Sequence, residues 1–299
     1  LSRNIILGFL LLALFSRQQA FGWGFYSHRL INKMAVFTLP PEMLVFYKQH
    51  VNYLAEHAVD PDKRRYVVAE EAPRHYIDLE YYLAHNTKEQ VDSIPWSYKT
   101  AKAIYSEDSL IVWGTLPWAV EQTFYKLVTA LKELNKDQIL RYSADIGHYL
   151  ADMQVPLHTT ANHNGQLTGQ EGIHGLWESR VPELSAANYN FVVGKAIYLK
   201  QPREFYWESI WRSFKEKDEV LLQEHKVAVR LGLDKQYSPK QQGKTVKRSY
   251  SQEYIVAYEK ALNGMVEEKM RKSVLAVGSI WYTAWVKAGQ PALESLCEK

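Results

Sequence analysis

The chain has 299 residues, 46% apolar and 23% charged, enough to bury a large core and too apolar for a disordered segment. Its 36 Lys plus Arg stand against 33 Asp plus Glu, and a net charge of +3 gives no broad field for coating duplex DNA. A single cysteine, Cys297, excludes an internal disulfide framework and any thiolate zinc module, so a metal here must sit on nitrogen and oxygen.

In chain order, Arg3 precedes an apolar run from Ile5 to Phe15, about half the length that a membrane-spanning helix needs. Ala20 and Gly22 follow as small residues two apart, the pattern of a signal-peptidase site. Residues 1–22 are therefore expected to be a signal peptide, giving a secreted or periplasmic protein whose mature chain starts at Trp23 and carries no integral membrane segment. From Trp23 onward the apolar periodicity is helical, and no alternating run is long enough to build a sheet, which predicts an all-α fold. One multi-helix domain is expected over 23–289, with a tail over 290–299, as a monomer. Val120, Phe124, Leu127, Leu131 and Leu134 recur every three or four residues after Pro117, and Asn135 reads as the end of that helix with Asp137 capping the next. That next helix should run over 138–154 to the stop at Pro156. Tyr237 to Arg248, rich in Ser, Pro, Gln and basic residues, reads as an exposed loop. Val266, Met270, Val274, Val277, Trp281 and Trp285 mark a long C-terminal helix closed by Gly289.

Chemistry begins at His148-Tyr-Leu-Ala-Asp152, where a spacing of four puts imidazole and carboxylate on one helix face. His158 follows beyond Pro156, and His174-Gly-Leu-Trp-Glu178 repeats the pairing. Asp60 and His75 lie upstream, again an oxygen and an imidazole without thiols, a donor set suited to zinc. Any one such pair is an ordinary feature of a helix; their accumulation is not. A freed Trp23 would add an α-amino group and a carbonyl oxygen as a chelating pair, with His28 five residues on.

The order Trp23, His28, Asp60, His75, His148-x-x-x-Asp152, His158, His174-x-x-x-Glu178 resembles the trinuclear zinc site shared by zinc-dependent phospholipases C and single-strand-specific zinc nucleases. The resemblance implies three zinc ions. Asp60, His75, His148 and Asp152 would hold one, Trp23, His28 and the bridging Asp152 its neighbour, and His158, His174 and Glu178 the third. It further implies hydrolysis of phosphoric diesters by a water that zinc has made acidic, with Asp60 and Asp152 in the catalytic centre and no serine or cysteine nucleophile. Lys63 and Tyr76 match a phosphate-contacting lysine and a base-stacking aromatic of the nucleases, and Asp78 fits the substrate-binding acid of both branches. Ala151 and Val155 depart from the family's usual Gly and Gln, at positions that hold no metal. The substrate is then expected to be phospholipid, with single-stranded nucleic acid or nucleotide as the alternative; a zinc-stabilised binding protein without catalysis is the reading from another class.

Overall fold

A computed structural model describes residues 24–242 and 245–297; the expected signal peptide and Trp23 lie outside the described residues. Among the described residues the fold is all-α, as the periodicity implies, with one small exception. The helices that build the site and its supports are α1 (Phe25–Ala35), α2 (Asp60–Arg64), α3 (Leu116–Lys132), α4 (Lys136–Asp152), α5 (Pro202–Leu231), α6 (Gln252–Ala261) and α7 (Met265–Lys287). The exception is an antiparallel hairpin of β1 (Tyr237–Gln242) and β2 (Thr245–Tyr250), where the sequence was expected to form a loop. Its ends are fastened by aromatic rings rather than by apolar alternation: Tyr237 stacks on Tyr250, which stacks on Tyr254 of α6.

Pro117 sits in the first turn of α3, where its missing N–H costs nothing. Asn135 does not end that helix. Leu134, at φ 51°, makes the break, and the Asn135 side chain caps α4 by accepting a hydrogen bond from the Gln138 N–H. Helix α7 packs against α1, α3 and α4. Trp281 donates its indole N–H to the Ser143 carbonyl at 3.0 Å and Tyr47 stacks on the Trp281 ring, so the middle of α4 is held on two sides.

One buried amide sets the spacing of α1 and α4. Asn32 donates to the carbonyls of Leu54 (3.3 Å) and Ala144 (3.2 Å), tying α1 to its neighbours one turn beyond His28 and one turn before His148. Gly147 makes this approach possible, because a β-carbon there would fall 2.1 Å from the Asn32 side-chain oxygen. The consequence is local: His28 and His148 stack with ring centroids 3.8 Å apart.

Candidate metal centre

Residues Ser143 to Asp152 of α4 are all buried, so the helix ends inside the protein with Asp152 as its last residue. A carboxylate at the negative end of a helix dipole is unfavourable unless positive charge meets it. Four imidazoles do so: Asp152 lies 3.1 Å from His75, 3.2 Å from His148, 3.5 Å from His28 and 3.7 Å from His158. Burial favours the neutral acid, but His148 and His158 outweigh it and hold the Asp152 carboxyl well below the usual range.

Three groups of buried ligand atoms result among the described residues: His28, His148 and Asp152; Asp62, His75 and His148; and His158, His174 and Glu178. Within each group one nitrogen or oxygen per residue lies within 4.8 Å of the others. The backbone turns the rings. His148 donates its Nδ1–H to the Ala58 carbonyl (2.8 Å), His158 to the His75 carbonyl (2.6 Å) and His174 to the His163 carbonyl (2.9 Å). Each of these rings therefore aims Nε2 inward. His75 is reversed, with Nδ1 facing inward, 2.9 Å from His148 Nε2.

The donor set fits a zinc ion on three counts. His158 and His174, both with their protons committed to carbonyls through Nδ1, bring their Nε2 atoms to 3.1 Å, so two lone pairs face each other beside the Glu178 carboxylate. Both ring nitrogens of His28, both carboxylate oxygens of Asp62 and one oxygen of Asp152 are buried without a hydrogen bond, an arrangement that costs roughly 1–3 kcal/mol per group unless something satisfies it. Finally, imidazole nitrogen with carboxylate oxygen and no thiolate is a set that zinc accepts. Burial pushes Glu178 up to about 8 and His28 down to about 4, whereas at His148 burial is outweighed by Asp152 and Asp62 and the ring is raised to about 9.

Of the residues singled out from the sequence, His28, His75, His148, Asp152, His158, His174 and Glu178 all converge. Asp60 does not. Its carboxylate is taken by His57 (2.5 Å) and Lys63 (2.9 Å), and these hold it below the ordinary carboxylate range although burial alone would raise it. The oxygen in the second group comes instead from Asp62, fully buried two residues on. On a one-turn helix, residues two apart face away from each other, so only one of the pair can point at the cluster. The partners of Asp60 were readable, because His57 and Lys63 flank it at three residues on either side.

Lys63 is thereby spent on Asp60, and it lines a cavity of about 350 Å³ with Tyr53, His57 and Arg141 that contains none of the clustered residues. Tyr76 donates its hydroxyl to the carbonyls of Ile111 and Val112. Asp78 is buried, and burial reinforced by Glu80 pushes its carboxyl up to about 8.

The sequence profile of the family described as zinc dependent phospholipase C matches residues 27–258, a span that contains every residue of the three groups. The chain belongs to the zinc-dependent phospholipase C family. Membership in this family, together with the buried nitrogen and oxygen groups, makes it a zinc-dependent hydrolase. A search of curated proteins finds no match to the chain. No described helix is long and apolar enough to cross a membrane.

Proposed function

We propose that this zinc-dependent phospholipase C family member is an exported phosphodiesterase that cleaves phospholipid head groups with three zinc ions. The observation that carries this reading is the meeting of three ligand groups around Asp152 and Glu178, with the Nε2 atoms of His158 and His174 facing each other beside Glu178. Asp62, His75, His148 and Asp152 would hold one ion, His28 and Asp152 with the Trp23 terminus a second, and His158, His174 and Glu178 the third. When bound, zinc supplies a water acidic enough to ionise near neutral pH and a positive charge for the phosphoryl oxygens.

The chain's own residues set the conditions for that chemistry. Asp152, which belongs to the His28 group and also lies against His75 and His148, would set one negative charge beside both of the first two ions, and His148 and His158 hold its carboxyl ionised. The three Nδ1–H bonds to backbone carbonyls hold His148, His158 and His174 in the one tautomer that leaves Nε2 free to bind. Asp78 is the substrate-binding acid that the resemblance implies, and burial with Glu80 beside it raises its carboxyl to about 8. The place of Lys63 beside Asp60, in a cavity lined by none of the clustered residues, takes away one support for the nuclease alternative.

The deciding experiment loads purified protein with zinc and compares release of head group from phosphatidylcholine with hydrolysis of single-stranded oligonucleotide. Cleavage of phosphatidylcholine that disappears on chelation supports the reading. Turnover of the oligonucleotide alone would move the protein to the nuclease branch, and zinc binding without either activity would reduce the metals to a structural role.

A further inference from the structure

Among the clustered histidines His75 has its own way of being held. His148, His158 and His174 lean on backbone carbonyls through Nδ1, whereas His75 turns Nδ1 inward and leaves Nε2 buried with no hydrogen-bond partner. The carboxylate in front of that nitrogen belongs to Glu71, with Oε1 at 3.8 Å from Nε2. Glu71 is itself buried and fastened from several sides. Tyr149, the residue after His148 on α4, donates its hydroxyl to Oε1, Arg64 reaches both oxygens at 3.4 Å, and Arg74 lies 3.8 Å from Oε2. Arg64 is anchored in turn by Asp145 of α4 at 3.0 Å.

We propose that Glu71 is a positioning residue of the metal centre, accepting the outer Nε2–H of His75 and so fixing that ring with Nδ1 toward the metal. The inference rests on the reading of His75 as a zinc ligand and deepens it. When Nδ1 gives its lone pair to a metal, the ring proton must reside on Nε2, and a buried N–H needs an acceptor. Closing the gap from 3.8 Å to a hydrogen bond of about 2.9 Å needs a shift of about 1 Å. The Tyr149 hydroxyl and two guanidinium groups face Glu71, and a carboxylate behind a metal-bound imidazole makes the ring a stronger donor than a carbonyl does. Arg64 and Tyr149 tie this carboxylate to α4, the helix that supplies His148 and Asp152, so the second and bridging groups share one frame.

The test uses the full-length zinc-loaded protein and three variants: Glu71→Gln, which keeps the shape and removes the charge; Asp145→Asn, which loosens Arg64 without touching His75; and His75→Ala. Zinc content and affinity are read by metal analysis and chelator competition, and the melting temperature of each chelated protein reports stability alone. Glu71→Gln is expected to weaken one zinc by about 10- to 100-fold, with Asp145→Asn within about threefold of wild type and similarly stable when metal-free. Nitrogen NMR of histidine-labelled wild type should show the His75 ring proton on Nε2 in a strong hydrogen bond, a signal that moves upfield in Glu71→Gln. Equal zinc losses in Glu71→Gln and Asp145→Asn, tracking lost stability, would reduce Glu71 to a structural role and overturn the proposal. Wild-type affinity in Glu71→Gln beside lost zinc in His75→Ala would overturn it too, leaving the metal reading intact. Full zinc in His75→Ala would instead remove that reading, and the inference with it. Should Glu71→Gln fail to fold, the wild-type ring signal decides: a proton on Nδ1 refutes the proposal.

Discussion

Replacing Asp152 by Asn keeps the side chain's size and removes a charge that four imidazoles share at 3.1–3.7 Å. Since Asp152 belongs to the His28 group and also lies against His75 and His148, its loss should release two zinc ions and leave the His158, His174 and Glu178 group loaded. At free zinc a thousandfold above the dissociation constant, each ion stabilises the fold by about 4 kcal/mol. Wild type should then lose about 12 kcal/mol on chelation and Asp152→Asn only about 4 kcal/mol. With about 2 °C per kcal/mol for a chain of this size, the melting temperature should fall by roughly 24 °C in wild type and by about 8 °C in the variant. The assay is thermal unfolding of each protein with zinc and with chelator, and the quantity of interest is the difference within each protein, which cancels the effect of the substitution on the metal-free fold. Equal falls in the two would show that Asp152 does not serve two ions, and no fall in either would show a hydrogen-bonded cluster without metal.

Asp62→Asn should lower zinc content and reduce turnover by about 100-fold or more, whereas Asp60→Asn, which weakens pairings with His57 and Lys63 outside the cluster, should stay within a few fold; turnover with metal analysis separates them. The chelated protein should lose stability as pH rises from 6.5 to 9, as followed by denaturant melts. There His148, raised to about 9, gives up stability that was fully present below 6.5, and Glu178 and Asp78, both raised to about 8, hold protons in the fold that the unfolded chain has already released, so all three act in one direction. Zinc-loaded protein should show the reverse trend on acidification, because protons compete with metal for the imidazoles. Gly147→Ala should destabilise the fold by about 1–3 kcal/mol in denaturant melts, because its methyl group strikes the buried Asn32 amide.

The helices were legible because their apolar periods are long and their stops are strong: Pro117, Pro156 and Gly289 bracket α3, α4 and α7 within a few residues. The one-turn pairs His148 with Asp152 and His174 with Glu178 were legible for the same reason, since helix geometry alone brings such residues together, even though the latter pair lies where the helix widens to a π turn. Asp62 was not, because the choice between two carboxylates in Asp60-Pro61-Asp62 depends on the direction in which a single short turn faces, and that is set by packing. Glu71 stands four residues before His75, the spacing that marked the other pairs, but lies in a 3-10 segment interrupted by Pro73 that gives no helical period to place it on. The hairpin escaped because its strands hold Gln, Lys and Ser where apolar alternation would be expected; only Tyr237 and Tyr250 at its ends mark the pairing, through rings that find each other across the register.

The clustered residues come from distant parts of the chain, α1 at His28, α2 at Asp62, α4 at His148 and the segment up to Glu178, in a protein whose sequence holds a single cysteine. Ions bound there would act as cross-links that close long loops, the task disulfides perform in many exported proteins. Such cross-links answer to different solution conditions. A reductant that unravels disulfide-bonded enzymes should leave this one folded, while a chelator, harmless to those enzymes, should loosen it. Refolding of this chain should accordingly depend on the zinc supply and be indifferent to thiol reductant.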